Sequence, residues 1–206
     1  NALRSFAQTM VEQNINCNLT FGPASQVEAF GKLLVEAGRT VKMVRRLDSY
    51  FCQKTQLPLT SLQMRRANQE EYEAVANAQI EMFVEATGSD PSKADPEGFR
   101  RRVSERIDRQ RTWVKLHEGE VVFKTELQSV SPEVVYIEGV WTREDHRSEG
   151  IGTACLNELV ARLLKNHLMV TLMVEAGEES ALQVYRQVGF EFAESYQALY
   201  FNPVKA

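Results

Sequence analysis

Hydrophobic and polar positions divide this chain into alternating helical and extended stretches. Leu3, Phe6, Ala7, Met10 and Val11 fall at i, i+3, i+4, i+7 and i+8, the stripe of an amphipathic helix over Ala2 to Gln13. Ile15 to Phe21 alternates as a strand does, and Gly22-Pro23 breaks it. A second helix, which Ser25 can cap, runs to Ala37 and stops at Gly38, and Val41 to Phe51 predicts another strand. Gln53 to Ser61, with Pro58, predicts a linker. Leu62 to Arg66 opens a new strand, and Asn68 with Glu71 three residues later forms a capping-box start. The helix that follows has Tyr72, Val75, Ala76, Ile80 and Phe83 as its stripe and Gly88 as its end. Ser89 to Pro96 is a polar loop with two prolines. Phe99, Val103 and Ile107 then anchor a helix whose other faces carry Arg100, Arg101, Arg102, Arg106 and Arg109. Thr112 to Leu127 reads as a hairpin turning at Glu118-Gly119, and Ser129 to Glu133 as the next turn.

The pattern becomes chemically specific after that turn. Val134 to Thr142 is β-branched and aromatic, a strand. Leu156, Leu159, Val160, Leu163 and Leu164 mark a helix, and between the two lies Arg147-Ser148-Glu149-Gly150-Ile151-Gly152. A strand, a loop with two close glycines and a helix start can hold phosphate. The glycines let the backbone approach an anion, the helix start aims unpaired N–H groups at it, and Arg147 can add a charged fork. A strand from Leu168 to Val174 follows, then a helix from Ser180 that Gly189 stops.

Composition narrows the classes. The 206 residues, 43% hydrophobic and 25% charged, suit one core, or one core with a small appended module. A formal net charge of −4 gives no electrostatic case for nucleic acid. No apolar run reaches the roughly 18 residues of a membrane span, and nothing at the start resembles a signal peptide. Asn1 in place of Met points to a trimmed or incomplete N-terminus. Cys17, Cys52 and Cys155 are far apart and the three histidines are scattered, which predicts reduced structural thiols, no metal site and a cytoplasmic setting.

Taken together, Arg-x-x-Gly-x-Gly, helix, strand and Ala181-x-x-x-Tyr185-x-x-x-Gly189-Phe190 resemble the GNAT N-acetyltransferase superfamily over about Leu62 to Phe201. Met82-Phe83, Val121 to Leu127, Glu138-Gly139-Val140-Trp141 and the Gly22-Pro23-x-x-x-Val27 turn are similar to a bacterial group of that superfamily with a degenerate N-terminal GNAT-like module. The resemblance implies an α/β GNAT fold, with a mixed, mostly antiparallel central sheet flanked by helices. It also implies acetyl-CoA as cosubstrate, with no metal, and a small-molecule or peptide primary amine as acceptor. The pyrophosphate would lie on the backbone of Glu149, Gly150, Ile151, Gly152 and Thr153, with Arg147 and Ser148 beside it. Backbone of Val140, Trp141 and Thr142, in a strand that splays, would pair with pantetheine and thioester, where an N–H can stabilise the oxyanion. Glu178 and Ala181 complete the cofactor contacts the resemblance implies. Tyr185 matches the tyrosine that protonates the departing thiolate.

Glu138, two residues before Val140 and so on the same face by strand period, is the candidate base; a partner-facing carboxylate is the other reading. The arginine-rich helix is read as a solvated face, or else as a surface recognising an anionic acceptor or the adenosine phosphate. Helix, strand, helix, Gly and strand recur in both parts of the chain. Gly38 matches Gly189, Tyr50-Phe51 matches Tyr200-Phe201, and Leu34 takes the place of Tyr185. The expected organisation is therefore a degenerate half-GNAT-like module over residues 1–57 and a catalytic GNAT domain over 58–206, monomeric or homodimeric. A non-catalytic acyl-CoA sensor or scaffold is the alternative, because Glu178 stands where family members often carry asparagine and Glu144, Asp145 and Glu149 make the loop acidic.

Overall fold

A computed structural model describes residues 2–13 and 15–203; Asn1, Asn14, residues 204–206 and the side chain of Val11 lie outside the described residues. Among the described residues eight strands are hydrogen-bonded in the order β1-β8-β2-β7-β6-β5-β4-β3. They are β1 (Leu19–Pro23), β2 (Val41–Cys52), β3 (Arg65–Arg66), β4 (Thr112–His117), β5 (Glu120–Val130), β6 (Val134–Thr142), β7 (Met169–Glu175) and β8 (Glu191–Phe201). The β1–β8, β3–β4, β4–β5 and β5–β6 pairs are antiparallel and β6–β7 is parallel. This is the mixed, mostly antiparallel α/β architecture that the GNAT resemblance implies.

The chain forms two compact units, the first from the described residues of Asn1–Tyr50, Met173–Glu179 and Phe192–Ala206. In it α1 (Ala2–Glu12) and α2 (Ala24–Glu36) bury Ala7, Met10, Val27, Phe30 and Leu34 against Leu199 and Phe201 of β8. A Cβ on Gly31 would lie 2.3 Å from Leu199 Cδ1, so glycine there lets α2 close on the strand. Strand β1 starts at Leu19 rather than Ile15 and includes Gly22-Pro23. Proline is tolerated because β1 is the edge strand. Ser25 does not cap α2: Pro23 is the cap residue, with no side-chain cap bond, and Ser25 sits in the first turn.

The second unit comprises Phe51–Leu172 and Ser180–Glu191. Its main apolar cluster joins α3 (Tyr72–Thr87) and α5 (Pro96–Asp108) to the sheet through Val75, Ala76, Phe99, Val103, Ile107, Val114, Val121 and Trp141. Helix α6 (Ile151–Leu163) packs on β5 and β6 with Leu156, Leu159 and Val160 buried. The Asn68 capping box is present, opening a 3-10 turn at Gln69–Glu71 before α3, and Gly88 ends α3 at φ +69°. The hairpin turns at Glu118 and Gly119, φ +52° and +83°, as a right-twisted two-residue turn requires.

The sequence expectation differs from the fold in three places here. The strand expected from Leu62 to Arg66 is cut to β3, Arg65–Arg66, because Glu158 and Arg162 of α6 take the Leu62 N–H and the Met64 carbonyl. The polar loop from Ser89 contains α4 (Pro91–Ala94), because Asp90-Pro91 and Asp95-Pro96 each supply a cap and a first helical residue as well as a break. The stretch predicted as a linker is tied down. Asn157 Nδ2 donates to the carbonyls of Leu57 (3.4 Å) and Pro58 (3.2 Å). Leu62 N–H donates to Glu158 Oε2 at 2.7 Å, and Arg162 donates to the Met64 carbonyl at 2.7 Å.

Gly189, at the end of α7 (Glu179–Val188), has φ +112°, and a Cβ there would meet the Lys54 carbonyl oxygen at 2.7 Å. Gly38 has φ +91° and open space around it. Urea unfolding is expected to show Gly189→Ala destabilising by roughly 2 kcal/mol or more and Gly38→Ala by about 1 kcal/mol. Equal losses would mean that the Lys54 contact adds nothing.

Candidate functional site

Strand β6 is held differently along its two halves. Its ladder to β7 matches Val134–Tyr136 with Met169–Thr171, and the strand then continues to Thr142 outside that ladder. Toward β5, Lys124 faces Trp141 and Glu126 faces Glu138, so two steps in β5 span three in β6. The extra residue is a β-bulge. Gly139 within it has φ +60°, and Thr125 Oγ1 fixes it by donating to the Glu138 carbonyl at 2.9 Å. The bulge breaks the two-residue alternation that placed Glu138 and Val140 on one face. It also brings Trp141 into the α3–α5 cluster.

After β6 the chain makes a 3-10 turn at Glu144–His146 and passes Ser148 at φ +65° and Gly150 at φ +78° before entering α6. Gly150 is the cap residue and supplies no side-chain hydrogen bond, so no side chain caps the first N–H groups of α6. This 13-residue helix therefore presents its positive dipole end at Ile151, Gly152 and Thr153. The two glycines do different jobs. Gly150 provides the left-handed backbone in open space. A Cβ on Gly152 would lie 2.6 Å from Thr142 Oγ1, so this glycine lets the helix start rest on the end of β6.

Arg147 is committed to its surroundings. Nε donates to the Thr142 carbonyl at 2.8 Å and Nη2 to Glu85 Oε2 at 2.6 Å. Trp141 Nε1 donates to the same Glu85 oxygen at 3.3 Å, so one α3 carboxylate gathers the strand end and the loop. The loop's acidic side chains are partly engaged: Glu149 lies 3.5 Å from His146 Nδ1, and Asp145 accepts from Arg143 Nε at 2.7 Å. Arg143 also pairs with Glu120 and donates to His146 Nε2 at 3.0 Å.

Thr153 Oγ1 donates to Gln187 Oε1 of α7 at 3.4 Å, which ties the α6 start to the helix carrying Tyr185. Tyr185 is buried, its ring edge-on to Phe190 at 5.8 Å, and burial, with Tyr136 adding to it, pushes the phenol up to about 12. Ala181 is half-buried in α7, whereas Glu178 belongs to the first unit, exposed in the turn before α7. Glu138 is half-buried, and its carboxyl is raised by burial against the pull of Arg106. Local reading missed Glu85, Lys124 and Glu126: Arg147 and Trp141 for Glu85, Gln79 for Lys124 and Arg106 for Glu126 come from other elements, while Lys124 and Glu126 also meet each other within β5. The nearest local signal for the last two was charge inside an otherwise apolar strand. Among the described residues no group of His, Cys, Asp or Glu is placed to hold a metal ion.

Residues 72–190 match the family model described as "Acetyltransferase (GNAT) family". This chain belongs to the GNAT family. Among solved structures, a GNAT acetyltransferase from Colwellia psychrerythraea superposes with TM-score 0.68 at 14% identity, covering 97% of this chain and 72% of that one. A tandem GNAT protein from the clavulanic acid biosynthesis pathway gives 0.61 at 12%, covering 98% and 69%. A predicted acetyltransferase from Clostridium acetobutylicum, solved with acetyl-CoA, gives 0.50 at 16%, covering 62% and 88%. No curated protein matches the sequence. At these identities the structural likeness shows the fold, while the family match places this GNAT protein among acyl transferases that use acetyl-CoA. No helix among the described residues is long and apolar enough to cross a membrane.

In this GNAT protein the Arg147–Glu85 pair is about two-fifths exposed on each side, 43% and 40%, which limits its strength. A double-mutant cycle of Arg147→Gln and Glu85→Gln in urea unfolding is expected to give a coupling of about 0.5–1 kcal/mol that shrinks with added salt. A coupling several times larger would assign the clamp a structural weight that its exposure does not explain.

Proposed function

We propose that this GNAT protein is an N-acyltransferase, moving an acetyl group from acetyl-CoA to a primary amine of a small molecule or peptide by direct attack. The observation that carries the reading is the pairing of two features: a helix start with no side-chain cap, and a strand that leaves its parallel ladder at Tyr136 just before it. The N–H groups from Glu149 to Thr153 suit the pyrophosphate, with Ser148 at their edge. The backbone of Val140, Trp141 and Thr142 suits the pantetheine arm and the thioester carbonyl, where a backbone N–H would stabilise the oxyanion. Arg147 would act mainly by holding the loop, since its guanidinium already serves Glu85 and Thr142. Glu178 and Ala181 are assigned the remaining cofactor contacts.

Tyr185, with its phenol pushed up to about 12, stays protonated at ordinary pH and can return a proton to the CoA thiolate. Glu138 is the assigned base. Its raised carboxyl has a consequence for pH. The carboxylate must be ionised to accept a proton, so turnover should rise with pH through a midpoint above the ordinary carboxylate range.

Residues 1–57 are assigned to a degenerate GNAT-like module and 58–206 to the catalytic domain. Matching helix ends support this. Gly38 N–H bonds to the Val35 carbonyl and Arg39 N–H to that of Leu34; Gly189 N–H bonds to Arg186 and Phe190 N–H to Tyr185. The same cap thus places Leu34 where the other copy has Tyr185, leaving that module without the proposed proton donor. The tandem GNAT likeness agrees with this assignment. We assign the protein to the cytoplasm, as a monomer or homodimer. A non-catalytic acyl-CoA sensor or scaffold is the second reading, favoured by the engagement of Arg147 with Glu85 and by the acidic Glu178.

Calorimetric titration with acetyl-CoA and CoA should give micromolar binding that a folded Gly150→Asp/Gly152→Asp variant loses. Absence of binding at millimolar cofactor would remove both readings. Tyr185→Phe should lower kcat by about 100-fold across an amine panel while leaving CoA affinity within a few fold. Unchanged turnover would take Tyr185 out of the mechanism, and binding without transfer to any amine would favour the sensor.

A further inference from the structure

A buried charge cluster between β5, β6, α3 and α5 has no part in the cofactor contacts described above. The Lys124 side chain is 0% exposed, and its Nζ donates to Gln79 Oε1 at 2.7 Å and to Glu126 Oε1 at 3.4 Å, with Met82 Sδ at 3.9 Å. The other oxygen of Glu126 pairs with Arg106 Nη1, and Arg106 Nη2 reaches Glu138 Oε1 at 3.3 Å. Two cations and two carboxylates leave the group neutral. They do not share it equally. Glu126, 6% exposed, engages Lys124 and Arg106 through separate oxygens, whereas Glu138, 32% exposed, has one longer ion pair.

Buried ion pairs are poor sources of stability, because desolvation offsets most of the attraction, so this arrangement asks for another use. Carboxylates in environments that drive their behaviour apart are how acid–base roles are assigned. Four influences act on Glu138: burial raises its carboxyl most, Arg106 from α5 lowers it, Glu126 from β5 raises it and Lys124 from β5 lowers it. Tyr136 on its own strand is raised by burial and then by Glu138; α3 contributes the uncharged Gln79 and Met82. The Gly139 bulge lies alongside, with Lys124 Nζ 3.6 Å from where a Cβ would stand.

We propose that Lys124 and Arg106 are positioning residues that hold Glu126 as a fixed counter-ion and leave Glu138 as the carboxylate that exchanges a proton with the acceptor amine. The inference rests on the acyl-transfer reading above. The acceptor ammonium gives a proton to the Glu138 carboxylate, and the free amine nitrogen bonds to the thioester carbon. The carbon–sulfur bond breaks with its electron pair going to sulfur, and the thiolate takes the Tyr185 proton. The new amide nitrogen gives its surplus proton to the tyrosinate, and Glu138, one-third exposed, releases its own to water.

The test is a carbon-13 carboxyl NMR titration of the whole chain, with Glu138→Gln to assign the signal, in the wild type, Lys124→Met and Glu126→Gln. Loss of the cation should move the Glu138 midpoint up and loss of the like charge should move it down, each by about half a pH unit or more. An unmoved midpoint in both variants, or shifts of the opposite sign, would overturn the proposal. Thiol release from acetyl-CoA with an amine panel is then followed against pH, and the rising limb should track the midpoint in each protein. A limb that stays put while the midpoint moves would overturn the positioning role alone. No release with any amine, beside midpoints that shift as expected, would overturn the acyl-transfer reading and the inference with it.

Discussion

Strand β6 has to satisfy two neighbours whose registers do not agree along its length, and much of the second unit follows from how it does so. Its parallel ladder to β7 covers three residues, and its antiparallel ladder to β5 absorbs an extra residue at Gly139. The β5–β6 ladder also shifts register between Leu127 and Ser129, and the bulge at Gly139 is the one that turns Trp141 into the α3–α5 core. Trp141 in turn bonds to Glu85, which binds Arg147, so the loop that starts α6 is anchored through the same distortion. Local irregularity in a strand here organises the site rather than weakening the sheet.

The charges beside the bulge have a related logic. Lys124 occupies a strand position whose neighbours, Phe123 and Thr125, are equally buried, and it is kept there by Gln79 and Glu126 rather than by water. An apolar side chain of similar volume would fill that space but would take away one of the two cations that Glu126, 6% exposed, pairs with. Burial lowers the Lys124 ammonium, with Glu126 opposing, and raises Glu138, with Arg106 opposing, so each group is balanced by another in the cluster. Such mutual dependence ties the protonation of one half-exposed carboxyl to residues on three other elements.

The segment before β3 shows that composition and mobility are separate matters. Polar residues and Pro58 mark it as a connector, yet Asn157, Glu158 and Arg162 hold it along α6, and Asn157 and Glu158 are buried in doing so. Helix α6 thus has polar residues on a face that the amphipathic pattern leaves to solvent. The thiols are equally quiet: Cys52 and Cys155 are buried and unpaired, with the Cys155 thiol pushed up to about 12 by burial first and by Glu158 next.

The sequence by itself determined what depends on near neighbours: the helical stripes, the Asn68 capping box, the Glu118-Gly119 turn, and the glycines that end α2, α3 and α7. Each is written within four or five residues, and so the order of elements was legible in the sequence, while the GNAT fold was legible only through the resemblance of the glycine loop and the Ala181–Phe190 motif. The glycine loop was legible as well, although the distinct duties of Gly150 and Gly152 were not. The bulge at Gly139, the Glu85 clamp and the Lys124–Glu126–Arg106–Glu138 cluster were decided by tertiary structure alone. Apart from Lys124 and Glu126, two positions apart in one strand, the register and ion pairs at these places join residues 12 to 62 positions apart, and the two-residue period used to place Glu138 beside Val140 holds only where a ladder keeps one residue opposite one.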